Sequence, residues 1–222
     1  IGMKLSPNRL VSSVAKCRSA KRLGLIALGG VIGLVSPSAL AELPQGGTFD
    51  PQFGGGNIIN SPTGNYQGVI LDGSNALINW DSFNVGAGDH VHFQSWTAPN
   101  DFRVLNKINQ GTPSMIRGTI TGNGMVGMVN PAGVVFFGSS VVNVGSLLAA
   151  SANTINSSDF LTNPNNDFGL TCGNCAINIL PGAVLQASNH MMLVGKSVTN
   201  RGTIQAPTLM IVGGIDTCDE IT

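Results

Sequence analysis

Charge is the scarcest feature of this 222-residue sequence: Asp, Glu, Lys and Arg make up only 10% of it, well below the quarter that is usual in globular proteins. Beyond residue 42, no stretch has the mixture of Glu, Lys, Arg and Ala that exposed helices favour. Glycine is plentiful, with 30 residues. Few charges and many turn residues favour an all-β protein of short strands and tight turns.

The body of the chain also lacks clustered basic residues. Six of the eleven basic residues lie in the first 22 positions, whereas all eleven acidic residues lie at Glu42 or later. The part from Glu42 onward therefore carries 5 basic and 11 acidic groups, a net charge of 5 − 11 = −6. Phosphate contacts need clustered Lys and Arg, so this distribution argues against a nucleic-acid partner.

No apolar run is long enough to span a bilayer comfortably. The longest, Leu23–Val35, has 13 residues and follows a basic segment that runs from an initiator at Met3 through Arg22. Ala39-Leu40-Ala41 then supplies a small-x-small cleavage pattern. We interpret residues 1–41 as a signal peptide for the Sec export machinery, cleaved before Glu42. The alternative is an uncleaved membrane anchor.

Residues for catalysis or for metal binding are equally few. Cys172 and Cys175 form a Cys-x-x-Cys motif, but a redox site would need a following helix and a zinc site a second ligand pair. A local disulfide between them or a bond using Cys218 remains open. His90 and His92 share one face of a predicted strand and could bind a metal, although a solvent-facing stripe explains them as well.

A polysaccharide-cleaving enzyme would need paired carboxylates. Asp81 and Asp89 are explained by turns or caps, and the remaining cluster lies at the carboxy end, at Asp216, Asp219 and Glu220. We therefore expect no catalytic residue, no metal and no cofactor.

Short apolar or alternating runs follow one another after residue 42, separated by turn residues. The segment that starts at Ser140 resembles the one that starts at Ala183, an offset of about 43 residues, which we interpret as two turns of a solenoid with a period of about 20. Stacked turns would complete a common core. Alternation predicts the following buried residues: Val142, Val144, Ile177, Ile179, Leu193 and Ile204.

Three segments, in order, resemble the secretion domain of filamentous haemagglutinins and related two-partner-secretion exoproteins. They are residues 77–93, residues 104–108 followed by 113–118, and residues 124–138 followed by 142–151. The resemblance extends over roughly residues 55–215. It implies a right-handed parallel β-helix with an amino-terminal cap and extra-helical strands, recognised by an outer-membrane β-barrel transporter through its periplasmic domains. It also implies that the domain has no catalytic residues and that it nucleates the folding of a longer exoprotein.

Two turns correspond to motifs of that family. Asn130-Pro131-Ala132-Gly133 resembles the Asn-Pro-Asn-Gly motif, with Ala132 in place of the second Asn. Pro131 fixes one backbone angle, Gly133 can take positive φ, and Asn130 can cap the turn. Asn163-Pro164 corresponds to the second motif, although its Leu is missing. Each turn either contacts the transporter or only shapes the β-helix. Some relatives share the Cys-x-x-Cys, which supports the disulfide between Cys172 and Cys175.

The resemblance implies an exported protein, secreted or held at the cell surface of a Gram-negative-type bacterium. Any contact with a host or neighbouring cell would be made by regions downstream of Thr222, because we expect this chain to be truncated at its carboxy end. Two alternatives are a carbohydrate-active β-helix enzyme and a free-standing adhesive domain, since fold does not fix function.

Overall fold

A computed structural model describes residues 42–213, apart from the side chain of Cys172. The predicted signal peptide and the acidic cluster after residue 213 lie outside these residues. Within them the chain forms eighteen strands and one helix: β1 Thr48–Phe49, β2 Gly56–Asn60, β3 Tyr66–Leu71, β4 Asn75–Trp80, β5 His90–Ser95, β6 Arg103–Ile108, β7 Ser114–Ile116, β8 Thr119–Val129, β9 Val134–Phe136, β10 Val141–Ala150, β11 Ala152–Ile155, α1 Ser157–Thr162, β12 Leu170–Cys172, β13 Ala176–Ile179, β14 Val184–Ala187, β15 His190–Val194, β16 Ser197–Asn200, β17 Thr203–Gln205 and β18 Thr208–Val212. No helix in this part of the chain has the length and apolar character needed to cross a membrane.

Most of these strands belong to three parallel sheets that the chain visits in turn. Sheet A contains β3, β5, the first half of β8, the first half of β10, β14 and β17. Sheet B contains β4, β6, the second halves of β8 and β10, β15 and β18. Sheet C contains β7, β9, β13 and β16. One pass through the three sheets is a rung, and the stacked rungs form the predicted right-handed parallel β-helix.

The internal repeat has a different origin from the one predicted. Val141 pairs directly with Val184, 43 positions later, so the repeat joins adjacent rungs and is one turn rather than two. Thr119 pairs with Val141 after 22 positions and Val184 with Thr203 after 19, which agrees with the expected period. The long turn arises because residues 151–175 leave the β-helix and form β11, α1 and β12, called the excursion below.

The interior of the β-helix is filled by inward columns of aliphatic side chains. On sheet A one column runs Val91, Ile120, Val142, Leu185 and Ile204 in register. Five of the six residues predicted to be buried are at most 1% exposed. The exception is Ile204, which is only partly buried because β17 pairs on one side with β14 and has no further strand beside it among residues 42–213.

A second apolar cluster covers the outer face of sheet B. Leu105, Leu148 and Met192 point outward there and pack against Phe160 and Leu161 of α1. The central strands of sheet B, in the second halves of β8 and β10 and in β15, are therefore buried on both faces. This burial explains why the four consecutive apolar residues 147–150 form part of a strand.

Antiparallel strands close the amino-terminal end. β1 pairs with β4 and β2 with β3. Large aromatic side chains are buried beneath this cap: Trp80, Phe83 and Phe93 are at most 1% exposed, and Trp80 packs edge-on against Phe83 at 5.4 Å. Buried Gln67 donates a hydrogen bond to the carbonyl of Pro44 at 3.0 Å, which ties the cap to the first rung.

Candidate functional site: the two Asn-Pro turns

The first turn links sheet B to sheet C. It follows β8, and the amide of Gly133 donates to the carbonyl of Asn130 at 2.9 Å, which closes the turn. The side-chain oxygen of Asn130 accepts a second bond from the amide of Ala132 at 2.9 Å. The bond uses the backbone of Ala132, so this turn forms without the second Asn of the family motif.

The Asn130 side chain is completely buried. Its Nδ2 donates to the carbonyl of Thr112 at 3.1 Å and to Ser114 Oγ at 3.0 Å, both on the preceding rung. Its backbone amide donates to the carbonyl of Ala150 on the following rung at 3.0 Å. Asn130 therefore joins three successive rungs and offers no surface to a partner in the folded domain.

Gly133 has φ +95°, a conformation that residues with a Cβ rarely adopt. A Cβ there would also overlap the carbonyl oxygen of Ala176 on the next rung. The glycine thus allows both the turn and the close stacking of β9 on β13.

The second turn, in the excursion, has the same hydrogen-bond pattern. Asn163 Oδ1 accepts from the amide of Asn165 at 2.9 Å, and the amide of Asn166 donates to the carbonyl of Asn163 at 3.2 Å. Asn166 takes the place of Gly133, with φ +56°. Asn is among the few residues that tolerate this region. Asn163-Pro164 thus forms the same kind of turn as Asn130-Pro131, and its assignment to the second family motif, without the Leu, stays a prediction.

The two turns differ in solvent exposure. Pro164 and Asn165 are exposed and Asn163 is partly exposed, whereas in the first turn only Pro131 is exposed. Pro164 and Asn166 line a polar cleft of about 180 Å³ at the corner between sheets A and B, together with Asn123 and His190. Arg103 also lines this cleft and donates to the carbonyl of Phe160 at 2.9 Å, which anchors α1. The turns lie at different corners and do not form one site.

The cysteine motif begins at Cys172, the last residue of β12, and Gly173 and Asn174 separate it from Cys175. Cys175 is partly exposed and has no disulfide partner in the part of the chain that the structure describes. The side chain of Cys172 lies outside that part, so the disulfide between Cys172 and Cys175 stays a prediction, as does any bond to Cys218.

The two neighbouring histidines point to a single hydroxyl group. His90 Nε2 and His92 Nδ1 lie 2.6 and 2.7 Å from Thr121 Oγ1 on the next rung. The hydroxyl has one proton, so one imidazole accepts from it and the other donates to it. Burial lowers the pKa of both histidines, and the proximity of His92 lowers that of His90 further. Between residues 42 and 213, no three residues of His, Cys, Asp and Glu are grouped as metal ligands would be.

Sequence reasoning missed a polar cluster at the start of the described chain. Buried Asp89 accepts a hydrogen bond from the backbone nitrogen of Glu42 at 2.6 Å. Arg117 and Glu42 form an ion pair at 3.5 Å. As many as 75 positions separate these residues in the sequence, and they share no motif. Only the stacking of rungs brings them together.

Residues 56–221 match the TPS secretion domain family. The match covers well over half of the chain, and the protein belongs to this family, the secretion domains of large exoproteins in two-partner secretion. Enzymatic activity is not a known property of such domains.

Particular relatives come from Haemophilus influenzae. A heme/hemopexin-binding protein is 27% identical over 188 residues, which are 83% of this chain and 20% of that protein. A second protein of the same name is 30% identical over 120 residues, 54% of this chain and 13% of that protein. The chain thus spans about a fifth or less of the length of these relatives. The crystal structure of the HMW1 secretion domain matches with a TM-score of 0.62 and 19% identity, covering 77% of this chain and 44% of that one. That likeness supports the β-helix fold.

Proposed function

We propose that this domain targets a large exoprotein for secretion and nucleates its folding, after recognition by a cognate outer-membrane β-barrel transporter with periplasmic domains. Residues 1–41 act as a Sec signal peptide that is removed before Glu42. The exoprotein then reaches the medium or the cell surface. Contacts with host or neighbouring cells belong to downstream regions, and the domain itself is non-catalytic.

The family match over residues 56–221, together with the capped β-helix, carries this proposal. Antiparallel β1 and β2 close the first rung, so rungs stack from the capped end in one direction. Leu209 and Ile211 of β18 continue the inward columns of Met191 and Leu193. Such a column is a surface on which a following rung can stack, because each rung of a solenoid buries its neighbour.

The exposed second turn is the better candidate for direct transporter contact. Pro164 and Asn165 are accessible and lie beside the polar cleft. The first turn acts through the fold instead, because Asn130 is buried between rungs. Loss of the second turn should therefore reduce recognition, whereas loss of the first should reduce stability.

A secretion assay tests the function. The chain is expressed with its signal peptide, with and without its cognate outer-membrane transporter, and the medium and periplasm are probed separately. We expect the chain in the medium only when the transporter is present. Equal amounts in the medium without the transporter, or retention in the periplasm with it, would exclude the proposal. A transporter lacking its periplasmic domains is the matched control.

A further inference from the structure

Glu42, the first residue of the proposed mature chain, is held by every group it offers. Its backbone nitrogen donates to Asp89 Oδ2 at 2.6 Å, and its carbonyl accepts from the amide of Gly86 at 2.9 Å. Its carboxylate accepts from Asn84 Nδ2 at 2.8 Å and pairs with Arg117 at 3.5 Å. An isolated chain end rarely has so many fixed contacts, since termini are usually poorly ordered unless tied down.

Asp89 is a buried carboxylate that has no cationic partner among the described residues. It is only 4% exposed, and a buried charge is costly unless it is paired and hydrogen-bonded. Arg117 forms its ion pair with Glu42 and not with Asp89 among the described residues. Gly86 leaves the space that this contact requires, because a Cβ there would lie 2.5 Å from Asp89 Oδ2 and 3.1 Å from the nitrogen of Glu42.

We propose that Asp89 is the binding site for the mature amino terminus: removal of the signal peptide converts the nitrogen of Glu42 into an ammonium group that forms a buried ion pair with Asp89. The inference rests on the proposed cleavage after Ala41. In the precursor this nitrogen is a neutral amide with one proton. In the mature chain it has three protons and a positive charge, and charge-assisted hydrogen bonds are about twice as strong as neutral ones.

The charges of the cluster agree with this role. Two carboxylates contact Glu42 or belong to it, those of Asp89 and of Glu42 itself, whereas Arg117 supplies one guanidinium, which pairs with Glu42. The precursor cluster therefore has one unbalanced negative charge, and the new ammonium neutralises it. Leu43 and Pro44 follow at once and are buried against the cap, so fixing Glu42 fixes the start of the first rung. The amino-terminal cap thus reaches full stability only after export across the inner membrane.

A double-mutant cycle on the exported, processed chain tests the ion pair. One change is Asp89→Asn, which keeps the shape and removes the charge. The other inserts Gly-Ser between Ala41 and Glu42, so that the processed chain begins two residues earlier and Glu42 keeps an amide nitrogen. Mass spectrometry establishes the first residue of each of the four proteins, and urea denaturation gives their unfolding equilibrium constants.

We expect Asp89→Asn to change the unfolding equilibrium about tenfold more in the chain that begins at Glu42 than in the extended chain, the size of a charge-assisted bond. An equal effect in both backgrounds, or no effect in either, would refute the ion pair. A wild-type chain that does not begin at Glu42 would also refute it, while leaving transporter-dependent secretion as a separate question.

A pH series covers the case in which Asp89→Asn does not fold. Pairing with Asp89 raises the pKa of the ammonium, so its stabilising effect should be complete below the free value of about 8 and be lost as the pH rises above it. The wild type should then lose more stability than the insertion variant as the pH rises. Asp89, Arg117 and the Glu42 carboxylate are present in both proteins, so they do not account for a difference between the two curves. Parallel curves for the two proteins would contradict the proposal.

Discussion

Replacing Asn130 with Ala tests whether the first Asn-Pro turn is a structural element. The substitution removes three hydrogen bonds, those to Thr112, Ser114 and the amide of Ala132. Asn163→Ala is the matched control, because Asn163 makes the same bond within its turn and one more, from Nδ2 to the carbonyl of Asp167 at 2.8 Å.

The two substitutions should differ in free energy because their surroundings differ. Asn130 and Ser114 are both completely buried, so the Ser114 hydroxyl is left without this partner away from water. An unsatisfied buried group costs about 1–3 kcal/mol and each net hydrogen bond about 1 kcal/mol, which gives about 3 kcal/mol for Asn130→Ala. Water can replace the bonds of Asn163, so its loss should cost about 1 kcal/mol.

Thermal denaturation of the exported chain measures this difference. For a domain of this size, 1 kcal/mol corresponds to a shift in Tm of about 2–4 °C, so we expect a decrease of about 6–12 °C for Asn130→Ala and about 2–4 °C for Asn163→Ala. The secretion assay is run on the same variants. Secretion should follow stability at Asn130 and fall without a comparable loss of stability at Asn163. Equal Tm decreases would refute the argument from burial.

Two further predictions concern backbone space and protonation. Gly133→Ala should destabilise the domain by about 3 kcal/mol, because the added Cβ overlaps the next rung and also strains the backbone at positive φ. Gly88→Ala is the control, because Gly88 has φ +87° and no atom within 4 Å of its Cβ position; it should cost about 1 kcal/mol. Urea denaturation measures both changes. Because the folded-state pKa values of His90 and His92 are lowered, stability should be complete above about pH 6.5 and decrease as the pH falls through the lowered values. The double variant with Gln at both positions should show a flatter profile, and an unchanged one would contradict this assignment.

Strand positions could be predicted from the sequence because inward residues alternate along each rung. Val142 and Val144, and Ile177 and Ile179, follow this alternation and are buried as predicted. Turn chemistry was equally local, since Asn, Pro and Gly at Asn130-Pro131-Ala132-Gly133 determine the hydrogen bonds of the turn. Contacts between rungs are different, because the partners of Asn130 at Thr112 and Ala150 depend on which residues the stacking brings opposite.

The excursion shows why the repeat length was misread. A sequence offset of 43 between Val141 and Val184 fits two rungs of ordinary length or one rung with an insertion, and both give the same alternation. The distinguishing signal lies in sheet B, where Leu147 and Leu148 point to opposite sides yet are both completely buried. Consecutive apolar residues in a strand require cover on both faces. Only a segment outside the β-helix can cover the outer face, and the excursion, with Phe160 and Leu161, supplies it. The run of apolar residues at 147–150 is therefore the feature of the sequence that indicates the excursion. The excursion also places the second Asn-Pro turn beside sheet B.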